Sequence, residues 1–345
     1  MKMERQSPGR GRRWAASVVA VVLAGCQGPF PQTTFDPITS IGRDIDNLFM
    51  LVFGLAVFVF VLVEAALIWV LIKYRARPGA PDPKPIHGHT TLEIAWTLAP
   101  AFIIALIAIP TISTIWEEAA DPPPDALQID VIGHQWWWEF RYPDLNVVTA
   151  NELHMPVGRP VVLNMTSADV IHSFWGPRFT GKRDLMLGRT TRLSFTPDSI
   201  GDYSGQCAEY CGASHANMRF RMMVDDSTDF EAWVTRQRSG PPDLGALTPL
   251  QQRGLEVYRA VRDPASNSCL ACHTVQGISA GVLGPNLTHM GSRTTIAGGI
   301  LQNTPEGLAG WLRDPAAVKP GSLMPNVGLT EEEIDALVAF LLALE

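Results

Sequence analysis

Cys207-Ala208-Glu209-Tyr210-Cys211-Gly212-Ala213-Ser214-His215-Ala216-Asn217-Met218 is the stretch on which the fold and chemistry of this chain turn. It places two thiols, an imidazole and a thioether close together in sequence. A second imidazole, His172, lies upstream in Asp169-Val170-Ile171-His172-Ser173-Phe174. Such donors form a soft set that selects copper over magnesium, calcium or manganese. Three residues between the cysteines let one loop aim both sulfurs at one place, and the next turn brings in His215 and Met218. One Cys with two His and a Met would suffice for mononuclear blue copper, so the second Cys points to two coppers bridged by two thiolates. The competing assignment is a Cys207–Cys211 disulfide beside ordinary core His and Met, an option for any exported protein. The complete ligand set favours metal.

The flanking sequence is β-like. Val161-Val162-Leu163-Asn164-Met165 and Arg192-Leu193-Ser194-Phe195 are rich in branched and aromatic residues and bounded by Gly and Pro. Many short strands separated by turns predict a sandwich or barrel over residues 121–238. The Pro-rich Asp121-Pro122-Pro123-Pro124-Asp125 opens this domain, and Ser239-Gly240-Pro241-Pro242-Asp243 begins a linker over 239–248.

Downstream, residues 249–345 read as an all-α domain. Thr248-Pro249-Leu250-Gln251 combines an N-cap Thr, Pro at the first helical position and Gln three after the cap. The helix it opens is expected to bury Leu250, Val257, Tyr258 and Val261. It leads to Cys269-Leu270-Ala271-Cys272-His273, the C-x-x-C-H pattern of covalent haem attachment, with His273 as proximal ligand. A disulfide beside a surface His is the bland alternative. Thr330-Glu331-Glu332-Glu333 forms a capping box, after which Ile334, Leu337, Val338, Leu341 and Leu342 line one helical face.

Upstream lie membrane signals. Leu48–Ile72, interrupted only by Glu64, and Ile94–Ile115 are apolar, and each exceeds the ~20 residues that span a bilayer as a helix. Lys73, Arg75, Arg77 and Lys84 lie between them, which places that loop in the cytoplasm and everything after Trp116 outside. The N-terminus carries Lys2, Arg5, Arg10, Arg12 and Arg13, then an apolar run over 14–24, the layout of a secretory signal over residues 1–25. It ends in Leu23-Ala24-Gly25-Cys26, similar to a bacterial lipobox with Cys26 as the lipidated residue. An ordinary signal or uncleaved anchor with an incidental Cys is the alternative. Residues 26–120 then hold the mature N-terminus and both spans. A net charge of −7 argues against nucleic acid, whose backbone demands a basic face. The five cysteines divide into one for lipid, two for copper and two for haem, leaving none for a disulfide.

The motif Cys-x-Glu-x-Cys-x-x-x-His-x-x-Met with an upstream Asp-Val-x-His-Ser resembles the binuclear copper A site of cytochrome c oxidase subunit II. The resemblance covers about residues 40–225. It implies a cupredoxin-like all-β domain behind a two-helix transmembrane hairpin. His172, Cys207, Cys211, His215 and Met218 would be side-chain ligands. Glu209 would bind copper through its carbonyl, while its carboxylate and subunit I would hold magnesium. Gly133-His134-Gln135-Trp136-Trp137-Trp138 resembles the family's aromatic segment, which makes Trp136 the residue where electrons enter, with Trp137 and Trp138 expected to pack in the β domain. Glu93 matches the family's Glu at the mouth of a proton path into subunit I. One departure is Trp175, displaced by Phe174 from its usual place directly after His-Ser.

The C-terminal region resembles a class I cytochrome c. Met324, in Gly321-Ser322-Leu323-Met324-Pro325, corresponds to its axial Met, with Met290 and His289 as competitors. Gly284-Pro285-Asn286-Leu287 resembles the loop covering the haem. The whole arrangement is similar to caa3-type oxidases of the bacterial inner membrane, with the copper and haem domains on the periplasmic side. It implies subunit I with haem a and copper B, other oxidase subunits, and a donor cytochrome c or quinol–cytochrome c reductase. Electrons would pass through haem c and copper A to subunit I, where oxygen is reduced to water and protons are pumped. A copper A-type nitric oxide reductase subunit would share the copper motif. A stand-alone lipoprotein electron carrier or copper-handling protein would not need two spans beside a lipid anchor. The quinol-oxidase branch of the family lacks these copper ligands.

Overall fold

The computed structural model of the chain describes residues 30–79, 85, 87–261 and 268–345. The expected signal segment and Cys26 lie outside the described residues.

Two long helices, α1 (Ser40–Lys73) and α2 (Thr90–Glu118), contain the expected spans and extend beyond them at both ends. They are long and apolar enough to cross a membrane. The extra length has local causes. Thr39 caps α1 by accepting from the Gly42 N–H, and the polar first turn stays helical because it docks on the β domain. There Ile38 and Ile41 are buried, the Thr39 hydroxyl donates to the Phe179 carbonyl, and Arg43 pairs with Asp198 at 2.5 Å. His89 caps α2, and the Glu93 carboxylate accepts the His89 N–H at 3.0 Å. Pro100 and Pro110 sit inside α2, as membrane helices tolerate.

The next ten strands form two five-stranded sheets. The first has the order β3 (Val147–Ala150), β2 (Trp137–Tyr142), β1 (Leu127–His134), β5 (Val161–Ser167), β8 (Thr191–Phe195). The second has the order β4 (Glu152–Pro156), β10 (Arg219–Asp225), β9 (Gly201–Cys207), β6 (His172–Trp175), β7 (Arg183–Leu185). Both β-like runs read from sequence are strands, and they pair antiparallel with Val161 opposite Phe195. Burial alternates along β1, as a strand with one face on a core requires. Trp138, Phe174 and Phe220 meet in that core with ring centroids 4.4–5.6 Å apart. Helix α3 (Ser227–Arg238) closes one end with Phe230 and Trp233.

A second core belongs to the C-terminal region: α4 (Pro249–Arg259), α5 (Cys269–Cys272), α6 (Pro305–Arg313), α7 (Pro315–Val318) and α8 (Glu331–Leu342). Both capping boxes are formed. The buried face of α4 differs from the expected one. Leu250 and Val261 are 52% and 68% exposed, while Gly254, Leu255, Val257 and Tyr258 are buried. The helix ends at Arg259, so Val261 never joins its face. Gly254 sits at the crossing with α8, where a Cβ would stand 2.0 Å from the Ala336 carbonyl oxygen.

Candidate metal and cofactor sites

Strand pairing assembles the copper donor set. β6 pairs with β9 so that Phe174 faces Cys207, and the Ala208 N–H donates to the Ser173 carbonyl, which brings His172 to the end of β9. The chain then loops back, and the Cys207 N–H donates to the Met218 carbonyl. A 3₁₀ turn over His215–Asn217 lies between. The result is a chain of close contacts. Cys207 Sγ lies 3.7 Å from Cys211 Sγ and 4.0 Å from His172 Nδ1, and Cys211 Sγ lies 3.7 Å from His215 Nδ1 and 3.8 Å from Met218 Sδ. The Glu209 carbonyl is 3.2 Å from Cys207 Sγ. The cysteines form no disulfide. His172, Cys207, Cys211 and Met218 are buried.

The electrostatics of this cluster call for a cation. The Cys211 thiol, followed by His172 and backbone N–H groups, stabilises the Cys207 thiolate and pulls its pKa down to about 3 against the cost of burial. The neighbouring thiolate and burial push Cys211 the other way. Two adjacent buried sulfurs ionise together only if positive charge lies between them. His172 Nε2 is held by Asp169 at 2.7 Å, leaving Nδ1 for the sulfur side. Asp169 is itself fixed by the N–H groups of Gln135 and Val170. Burial alone would raise the Asp169 pKa, but these hydrogen bonds outweigh it and keep the group ionised. A carboxylate that orients a metal-binding imidazole is the usual supporting arrangement. The donors and their buried surroundings fit copper.

The second site is a cavity of about 370 Å³ bounded by both folded regions. Its cytochrome-like side includes Cys272, His273, Leu283, Trp311 and Met324, and its β-domain side includes His134, Gln135, Trp136 and Trp137. His273 Nδ1 bonds to the Pro285 carbonyl at 2.8 Å, which leaves Nε2 as the ring's remaining nitrogen. Burial holds the His273 pKa down, so the ring is neutral and able to ligate. A Cβ at Gly284 would stand 2.5 Å from the His273 ring, so Gly is required for this loop to pack on it. Met324 and Met290 both line the cavity, with an Arg293 N–H 3.8 Å from the Met290 sulfur. The His289 ring nitrogens lie 3.1 Å from the Glu345 and Gln237 carbonyls, which turns that ring to other work. A largely apolar cavity with the neutral His273 imidazole and two methionines on its cytochrome side fits haem.

Trp136 stands between the two sites. Its indole N–H donates to the Cys211 carbonyl at 2.9 Å, and the residue lines the cavity while only 8% exposed. Trp138 packs in the β core as expected. Trp137 instead stacks on His134 at 4.1 Å and lines the cavity, because β2 begins at this residue and its alternate side points away from the core. Glu93 belongs to neither cluster and caps α2. The Glu209 side chain is 44% exposed, with its carboxylate 3.6 Å from Lys182 Nζ. Lys319 and Glu152, buried charged residues where the two domains meet, were not visible as site residues in the sequence.

Three families match in chain order. The transmembrane domain of cytochrome c oxidase subunit II matches residues 32–114, its periplasmic domain 146–224, and cytochrome c 253–345. Cytochrome c oxidase subunit 2 of Alkalihalophilus pseudofirmus is 35% identical over 337 residues, 95% of each chain. The chain belongs to the cytochrome c oxidase subunit II family. The Bacillus subtilis subunit 2 is 31% identical and covers 95% of this chain and 96% of its own. Quinol oxidase subunit 2 of Bacillus subtilis is 30% identical but matches only 67% of this chain and 73% of its own. The crystallised periplasmic domain of a cytochrome oxidase subunit II from Bradyrhizobium japonicum aligns over 34% of this chain and 96% of its own, at 32% identity and a TM-score of 0.33. This subunit II therefore carries a fused cytochrome c domain and works as part of a haem–copper oxidase complex with subunit I. The family implies copper A and haem as its cofactors and a membrane location with periplasmic domains.

Proposed function

We propose that this subunit II takes electrons from a donor cytochrome c or a quinol–cytochrome c reductase at a covalent haem c and passes them through binuclear copper A to subunit I. The observation that carries this reading is the shared wall: one residue, Trp136, lines the cavity beside His273 and hydrogen-bonds the loop of Cys207 and Cys211. Cys269 and Cys272 would hold the haem, with His273 and Met324 as axial ligands. His172, Cys207, Cys211, His215 and Met218, with the Glu209 carbonyl, would hold the coppers. Bound in these places, the two groups supply one-electron chemistry, and a Met/His pair raises the haem potential as a carrier requires. The protein's part is to orient the donors through Asp169 and Pro285 and to keep both sites dry. The Glu209 carboxylate would share magnesium with subunit I, and Glu93 would sit at the mouth of the proton path. The basic loop after α1 favours a cytoplasmic loop and folded domains on the periplasmic side of a bacterial inner membrane, where Cys26 would add a lipid anchor.

The test is a reduced-minus-oxidised visible spectrum of the native complex purified through a tag on this chain. Haem c together with haem a is the expected result. Haem c with b-type haem and no oxygen uptake would transfer the chain to a nitric oxide reductase, and haem c alone would make it a stand-alone carrier.

A further inference from the structure

The cytochrome domain lies against the loop that carries the copper donors, at backbone distance. A Cβ at Gly298 (φ +80°) would stand 2.5 Å from Lys319 Nζ and 3.2 Å from the Trp136 carbonyl oxygen. One at Gly321 (φ +80°) would meet Ala213 at 3.0 Å and the Trp136 ring at 3.1 Å. The Arg219 N–H donates to the Gly298 carbonyl at 2.9 Å.

Two buried ionisable side chains tie this contact. Lys319, 4% exposed, donates from Nζ to the Trp136 carbonyl at 2.6 Å and to the Ala297 carbonyl at 2.8 Å. Glu152, also 4% exposed and on β4, accepts from the N–H and hydroxyl of Thr294 at 2.8 and 2.6 Å. It likewise accepts from the N–H and hydroxyl of Thr295 at 2.9 and 3.3 Å. A charge is buried at acceptable cost only when its hydrogen bonds are made. For Glu152 these hydrogen bonds come from the cytochrome domain, and for Lys319 one of the two acceptors is the copper domain's Trp136. Separating the domains would break all four hydrogen bonds at Glu152 and the Lys319 bond to Trp136.

We propose that Lys319 and Glu152 are positioning residues that lock the fused cytochrome domain over Trp136, fixing the haem cavity against the copper loop and closing Trp136 to soluble donors. The lock rests on the function proposed above. It makes electron transfer between the two sites a step within one rigid unit, with no docking motion in front of it. Each transfer oxidises the haem by one electron and reduces the copper centre by one.

The experiment uses the whole purified oxidase and a photoexcited ruthenium complex that delivers one electron to the haem per flash, with haem reoxidation followed optically. In the unaltered enzyme the rate is expected to be single and unchanged by added glycerol. Lys319→Met should slow it about tenfold to a hundredfold, the ratio implied by losing two buried hydrogen bonds, and make it viscosity-dependent. The haem and copper spectra and the haem potential should not move. Glu152→Gln, on the opposite side of the contact, should act in the same direction. An unaltered enzyme whose rate falls with viscosity overturns the lock, and so do two variants that transfer electrons at the parental rate. If Lys319→Met fails to retain haem, Glu152→Gln and the viscosity series on the parent decide. A parent lacking haem c or copper signals sinks the underlying function instead.

Discussion

Replacing Gly254 with Ala sets two known effects against each other. Alanine is the better helix former by about 1 kcal/mol in a helix interior, and Gly254 lies mid-way along α4. Against this, the new Cβ would stand 2.0 Å from the Ala336 carbonyl oxygen and 2.6 Å from Phe340 Cβ. Ordinary contact is about 3.5 Å, so α4 and α8 must part by roughly 1.5 Å along their crossing, and the blocking oxygen is backbone that no rotamer change can move. Over-packing costs about 1–3 kcal/mol, and an unyielding backbone obstacle puts this site in the upper part of that range, about 2–3, so the net change should be a loss of roughly 1–2 kcal/mol. The damage should reach the haem site, because the Tyr258 hydroxyl on α4 lies 3.3 Å from the His273 carbonyl and 2.9 Å from Ser279 Oγ. The assay is guanidinium unfolding of the purified oxidase followed at the haem c absorbance. Arg253→Ala, one residue away on the 60%-exposed side, serves as the control, with a change expected within about 0.5 kcal/mol. A Gly254→Ala midpoint equal to or above the parent's would show that the two helices do not pack as described.

Two further outcomes test the ligand sets separately. Met218→Leu keeps the buried volume but removes the sulfur 3.8 Å from Cys211 Sγ. It should perturb the copper spectrum and slow electron flow with haem c absorption intact, and an unchanged copper spectrum would strike Met218 from the ligands. Met324→Ala should lower the haem midpoint potential in a redox titration, since a Met/His pair raises it; no shift would transfer the role to Met290, which lines the same cavity.

What the sequence disclosed was local, and what it hid was long-range. The Cys207–Met218 loop and both capping boxes are dense patterns within a few residues, and each took the expected shape; the C-x-x-C-H run is equally local, and its Cys272 and His273 line the cavity. Hydrophobic periodicity misplaces the face of α4 because it cannot count a glycine, and Gly254 is the residue at the centre of the packed face. An aromatic run alone points Trp137 into the β core, but a strand start fixes which neighbours alternate inward, and β2 starts there. Lys319 and Glu152 carried no signal because their partners lie 183 and 142 residues away in sequence. A lone Lys before Pro-Gly and a lone Glu at a strand start read as solvated charges until the fold buries them.

The segment joining the domains argues for the same rigidity as the interface. A free chain over residues 239–248 would reach at most roughly 35 Å and would hold the cytochrome near copper at an effective concentration on the order of millimolar. This segment is not free. Leu247 is buried in the cytochrome core with Leu244 packed beside it, and the His289 ring lies 3.1 Å from the Gln237 carbonyl at the end of α3. A flexible tether would leave Trp136 uncovered part of the time and open to competing donors. A bound linker together with Lys319 and Glu152 removes that freedom, so the fusion exchanges choice of partner at Trp136 for a fixed path. On the proposed electron route, recognition of the donor would then fall to the cytochrome domain itself, and the copper domain's aromatic segment would serve only the electron that has already arrived.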